Sequence, residues 1–170
     1  DIYIDITPST TGTTIVTVKA PNGEETKITA EVNSDGIIEN KYVIITVETG
    51  KYEIVVETTD GTNIVTDTYY IFIDKTEPIV ESTITKTTNT ITVNANVQDT
   101  DSGIAEVTYT IKKGDVIVET NTTGEFTGLE DNTEYTVEIT VTDKAGNTIT
   151  KTENVKTEEL VAGSIAFTEI

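Results

Sequence analysis

Thirty-eight threonines, 23 isoleucines and 18 valines make nearly half of this 170-residue chain β-branched, against two leucines and seven alanines. Side chains branched at Cβ are stiff at χ1, which lowers helix propensity and suits a pleated surface. The apolar residues also alternate with polar ones: Ile2, Ile4 and Ile6 point one way, and Asp1, Tyr3 and Asp5 the other. That period predicts an all-β chain. A net charge of −19 argues for disorder. Against it, Ile, Val, Leu and Phe make up roughly a quarter of the residues, above the level at which chains stay unfolded.

Turn chemistry divides the alternation into strands. Thr13–Lys19, Thr26–Val32, Lys41–Glu48, Lys51–Thr58 and Asn63–Asp74 are separated by Pro21-Asn22-Gly23, Ser34-Asp35-Gly36 and Asp60-Gly61. This density is that of one small sandwich. Pro78 then interrupts the pattern, because proline cannot donate to a strand ladder and restricts the residue before it. Beyond it the plan repeats in Ile79–Thr87, Thr90–Gln98, Ile104–Lys112, Asp115–Thr120, Glu134–Thr142 and Thr148–Thr157. The expected domains are residues 1–76 and 77–157. Residues 158–170 are a linker or the first strand of a further repeat, the alternative being an extra edge on the second unit. A chain that starts at Asp1 without a methionine is expected to be a fragment or a processed product.

Most active-site chemistry is excluded by what is missing. The chain has no His, Cys, Met, Trp or Arg. It therefore lacks an imidazole base, a thiol nucleophile, a zinc site of the usual ligands and a guanidinium fork for phosphate. Its five serines include no Gly-x-Ser-x-Gly elbow. Thirty acids supply carboxylate pairs at every separation by chance, with no aromatic-lined cleft to single one out. The expectation is that it is not an enzyme. Nucleic acid is excluded as a partner because a polyanion needs a basic face, and no apolar run reaches the ~18 residues of a membrane span.

Calcium is the one candidate cofactor. Asp99 and Asp101 flank Thr100 in a polar loop ahead of Gly103, and Asp143 opens the turn Asp143-Lys144-Ala145-Gly146-Asn147. These are hard oxygen donors beside flexible turns. The plainer reading is that Asp and Ser in such loops bond their own backbone. Lys19 is a candidate for an intramolecular isopeptide crosslink, and Asn121-Thr122-Thr123 is a glycosylation sequon of the kind that arises by chance in a Thr-rich chain. Tyr3, Tyr69, Tyr70 and Phe126 are the candidate exposed aromatics for a sugar-binding face.

The second unit resembles a fibronectin type III or related bacterial immunoglobulin-like domain. The residues that carry the likeness are Leu129–Val137 (LEDNTEYTV) and Val141–Asn147 (VTDKAGN). The resemblance implies a tyrosine corner, with the role falling to Tyr135. The core tryptophan usual in that family is missing, and Ile91, Val93 and Ala95 stand where its early core strand belongs. The first unit resembles the immunoglobulin-like repeats of large bacterial surface proteins in Ile6-Thr7-Pro8, Thr14–Val18, Gly50-Lys51-Tyr52 and the closing Ile73–Pro78. Together these imply two tandem β-sandwiches serving as a non-catalytic stalk or spacer of an extracellular or cell-surface protein, with neighbouring repeats as partners. An adhesive or carbohydrate-binding module with a protein or glycan ligand is the alternative. A virion or extracellular filament component is a third, in which the tail Leu160–Ile170 completes a neighbour's sheet.

Overall fold

A computed structural model describes residues 2–4, 6, 12–32, 43–45 and 47–163. Among the described residues there are thirteen strands and no helix. The contacts separate the chain between Thr76 and Glu77 into two compact units.

The second unit is built from β7 (Ile79–Lys86), β8 (Thr90–Gln98), β9 (Ile104–Lys113), β10 (Val116–Asn121), β11 (Glu125–Thr127), β12 (Glu134–Asp143) and β13 (Thr148–Lys156). They form a four-stranded sheet in the order β10-β9-β12-β13 and a three-stranded sheet in the order β11-β8-β7. All pairings are antiparallel. On β12 every second residue points inward, and Val137, Ile139 and Val141 are fully buried. They meet Ile91 and Val93 of β8, Ile111 of β9 and Phe126 of β11 in a single core. Full burial of each such side chain contributes about 1.5–3 kcal/mol.

Many outward positions on the same strands carry threonine. Thr110 bonds Thr120 at 2.9 Å, Thr140 bonds Thr150 at 3.1 Å and Thr142 bonds Thr148 at 3.0 Å, each across a strand pair. The threonine abundance thus closes on itself as cross-strand hydrogen bonds.

The first unit is built from β1 (Ile2–Ile4), β2 (Gly12–Lys19), β3 (Glu25–Val32), β4 (Val43–Ile45), β5 (Gly50–Thr59) and β6 (Ile64–Ile73). Its sheets are β3-β2-β5-β6 and β1-β4. The core comprises Ile6, Val16, Val18, Ile28, Ala30, Val47 and Tyr52.

The six described strands of the first unit correspond to six of the second. The order β3-β2-β5-β6 repeats β10-β9-β12-β13, and β4-β1 repeats β11-β8. Both are all-β sandwiches of the fibronectin type III and immunoglobulin-like kind, with two sheets closing over one apolar layer.

Several expectations need correction. The strand β11 went unread, because three residues, Glu125-Phe126-Thr127, are too short to show a period. Phe126 is therefore not an exposed aromatic: it is fully buried, facing Ile91 across the pair. The strand expected over Lys41–Glu48 is seen as Val43–Ile45, with Val47 and Glu48 outside it and the remainder outside the described residues. Leu160–Gly163 is not in a strand, and Ser164–Ile170, where a further repeat was expected to open, lies outside the described residues.

Candidate functional site

The acidic loops lie at one end of the second unit. β8 runs out into Asp99, the loop returns through Gly103 to β9, and β12 ends on Asp143, opposite Ile104. Asp143 is buried because it continues the inward parity of Tyr135, Val137, Ile139 and Val141. The backbone ties the two loops together: the Lys144 N–H donates to the Gly103 carbonyl at 2.9 Å.

Both carboxylates are engaged with their own loops. Asp99 Oδ1 accepts from the backbone N–H groups of Asp101 at 3.2 Å, Ser102 at 2.8 Å and Gly103 at 2.6 Å. Asp143 Oδ1 accepts from the Asn147 N–H at 2.8 Å, and its Oδ2 from the Asn147 side-chain amide at 2.7 Å. Burial pushes the Asp143 carboxyl up, but the hydrogen bonds from Asn147, Gly146 and Ala145 outweigh it and hold the acid below its ordinary range.

Of the three residues expected to hold calcium, the fold brings two together. One oxygen of Asp99 lies within 4.8 Å of one oxygen of Asp143. Asp101 is exposed and contributes its N–H to Asp99 rather than a carboxylate to the pair. Two carboxylates supply part of the six to eight oxygens that calcium takes. What the arrangement does visibly is hold both loops in shape.

Elsewhere, polar groups do similar work. Tyr135 lies at the other end of β12, and its hydroxyl accepts from the Glu130 N–H at 3.0 Å, the corner that the family resemblance implies. Asn132 takes a positive φ of 48° in that turn, and the buried Thr157 hydroxyl donates to the Glu130 carbonyl at 2.7 Å. The first unit has a second corner that sequence reading missed: Tyr52 Oη accepts from the Glu48 N–H at 2.7 Å and donates to the Glu48 carbonyl at 3.2 Å. The signal was present, since Tyr52-Glu53-Ile54 and Tyr135-Thr136-Val137 open corresponding strands.

Asn121 of the sequon is a turn former, accepting from the Gly124 N–H at 2.9 Å and donating to the Glu125 carbonyl at 2.9 Å. Lys19 is exposed at the end of β2.

The aromatics of the first unit fall on two faces. Tyr70 and Phe72 share the outer face of β6 and are each about half exposed, whereas Tyr69 points to the inner face opposite Ile54. Phe72 was not among the expected residues, although its i+2 spacing from Tyr70 places it there. The ammonium of Lys51 sits 3.8 Å from the centre of the Tyr70 ring. Tyr3 is exposed on β1.

No protein-family model matches the chain, and no curated protein does. Among solved structures, a two-domain fibronectin type III segment of chicken tenascin is similar over 92% of this chain and 98% of its own, at 13% identity and a TM-score of 0.45. The first three fibronectin domains of chicken CNTN1 align over 87% of this chain and 57% of theirs, at 14% identity and a TM-score of 0.40. A tetra-tandem repeat from the extending region of a large adhesion protein aligns over 86% of this chain and 42% of its own, at 23% identity and a TM-score of 0.37. On its own strand order and its two tyrosine corners, the chain consists of two successive β-sandwiches of the fibronectin type III and immunoglobulin-like kind.

Proposed function

We propose that the chain is a non-catalytic spacer module of a bacterial surface or secreted protein, acting by holding other domains at a distance. The observation that carries this reading is where its polar chemistry goes. Asp99, Asp143, Tyr52, Tyr135 and Thr157 all bond the turns that end the sheets, and among the described residues no buried side-chain polar atom lacks a partner. Groups spent on architecture are not poised for substrates. The charge of −19 keeps neighbouring copies soluble by mutual repulsion. Small-angle scattering tests the proposal: a spacer gives an extended particle whose longest dimension grows in step with added repeats, and a collapsed particle overturns it.

A carbohydrate-binding role is favoured by one observation, the exposed Tyr70–Phe72 pair on the outer face of β6. Flat rings two residues apart on one strand stand about 7 Å from each other, close enough for both to lie against one ligand. Lys51 already covers one face of Tyr70, which makes this the second reading. Binding on a glycan array that Phe72→Ala abolishes would put it first.

A further inference from the structure

Ion pairs among the described residues are confined to the second unit. They join Lys112 to Glu138, Lys113 to Glu130 and Lys151 to Glu153, and Lys19, Lys51 and Glu53 of the first unit enter none. The strand register nevertheless gathers these three. Lys19 on β2 lies opposite Glu53 on β5, and Glu53 lies opposite Tyr70 on β6. Lys51 stands two residues before Glu53, so alternation places all four on the outer face of the sheet. In a chain of 30 acids and 11 lysines, two unpaired lysines thus converge on one place.

That place is a cleft of about 240 Å³, lined by Lys19, Ala20, Pro21, Lys51, Glu53 and Tyr70. One wall is the turn that follows β2. The Gly23 N–H donates to the Ala20 carbonyl at 2.9 Å, the Ala20 N–H to the Glu24 carbonyl at 2.8 Å, and the Glu24 N–H to Asn22 Oδ1 at 2.9 Å. Pro21 closes against the start of β5 because residue 50 is glycine: a Cβ there would lie 2.5 Å from the proline ring. The opposite wall is the exposed ring of Tyr70, and the Lys51 ammonium sits 3.8 Å from its centre. This cation–π contact positions the ammonium without neutralising it. Glu53, on the strand between the walls, is half-buried.

We propose that the cleft binds one acidic sugar ring, a pyranose that carries a carboxylate. The inference rests on the carbohydrate reading of the Tyr70–Phe72 face and narrows it to an acidic class. Each part of the cleft has its counterpart in such a ring. The ammoniums of Lys19 and Lys51 donate charge-assisted hydrogen bonds to the sugar carboxylate. The Glu53 carboxylate accepts from ring hydroxyls, and Tyr70 and Pro21 offer flat apolar surface to the C–H face of the ring. A neutral sugar leaves two ammoniums without an anion, and a bare anion uses neither Glu53 nor the tyrosine. Phe72, opposite Lys51 and outside the cleft lining, is placed for the next ring of a longer glycan.

Titration of the full chain with glucuronate, read by the shifts of its backbone amides in NMR, tests the proposal. Glucose serves as the neutral match and inorganic phosphate as the bare anion. Glucuronate should shift Lys19, Ala20, Lys51, Glu53 and Tyr70 saturably, with glucose and phosphate each binding at least about tenfold more weakly. Lys19→Gln and Lys51→Gln should each weaken glucuronate about tenfold, and Tyr70→Ala should weaken it as well. All three positions are exposed, so an unchanged thermal midpoint shows that the variants fold. Equal binding of glucose or phosphate, or a lysine double variant that binds glucuronate like the parent, would overturn the acidic class. The carbohydrate reading itself would still stand if neutral oligosaccharides bound and Phe72→Ala abolished their binding. No saturable shift with any of these sugars would overturn both.

Discussion

At the scale of single residues, the two tyrosine hydroxyls are the clearest tests of how the sheet ends are held. Removing the Tyr135 hydroxyl leaves the Glu130 N–H without its acceptor, and Tyr135→Phe should cost about 1–2 kcal/mol in chemical denaturation. Tyr52→Phe removes both an acceptor and a donor at Glu48, so its loss should be at least as large. Equal stability of either variant with the parent would show that water replaces the corner without penalty. The turn between β5 and β6 gives a pH signature. Hydrogen bonds from the backbone and side chain of Asn63, and from the Thr62 N–H, lower the Asp60 carboxyl from 3.8 to about 2. A carboxylate whose folded pKa is depressed stabilises the fold above its unfolded pKa, and that contribution disappears as pH falls through the folded value. The midpoint difference between the parent and Asp60→Ala should therefore be full above pH ~4 and vanish toward pH ~2. A difference that stays constant across that window would mean the carboxylate is not what matters. Asp143 and Glu153 carry the same sign. Glu153 is lowered first by the hydrogen bond from Ser82 and then by the one from Lys151.

The strand elements show how burial, rather than composition, sets what a substitution costs. Ile139 on β12 is fully enclosed, and Ile139→Ala should cost about 2–5 kcal/mol by lost transfer energy and cavity. Ile54 holds a corresponding inner position on β5 but is half-exposed, so Ile54→Ala should cost clearly less in the same denaturation series. If the two are equal, the exposure of the inner position does not set the cost. The short β11 depends on backbone rather than side chains. Gly124 has a φ of 72° and a Cβ there would lie 2.4 Å from the Val93 carbonyl oxygen, so Gly124→Ala should displace β11 and uncover Phe126. Much of this was legible beforehand. Strict alternation marked β12 and β13, the loop residues marked their turns, and even the burial of Asp143 follows from its parity with Val141. Other features were hidden for physical reasons. Three residues carry no readable period, which concealed β11, and Phe126 read as surface because its strand was unseen. The pairing of Asp99 with Asp143 rather than Asp101 depends on a register between β9 and β12 that no local pattern specifies.

For the molecule as a whole, a difference in how deeply matching positions are buried should separate the units thermally. Among the described residues, Val137 and Ile139 on β12 are fully enclosed, whereas Ile54 and Val56 at the matching positions of β5 are half-buried, and Val65 and Tyr69 on the inner face of β6 are more than half exposed. Since each fully buried large side chain contributes about 1.5–3 kcal/mol, this disparity is comparable with the stability of a small domain. Scanning calorimetry should therefore resolve two transitions, the lower belonging to residues 1–76. Assignment follows from the corners: Tyr52→Phe should shift the lower transition more, and Tyr135→Phe the upper. Charge adds a second lever, because the excess of 30 acids over 11 lysines repels itself in the compact state. Raising the salt from low to physiological strength shortens the screening length to about 8 Å and should raise both midpoints. A single transition that both tyrosine variants shift equally would mean that the chain melts as one cooperative body. The burial of matching positions in the two sandwiches would then be the wrong guide to their stability.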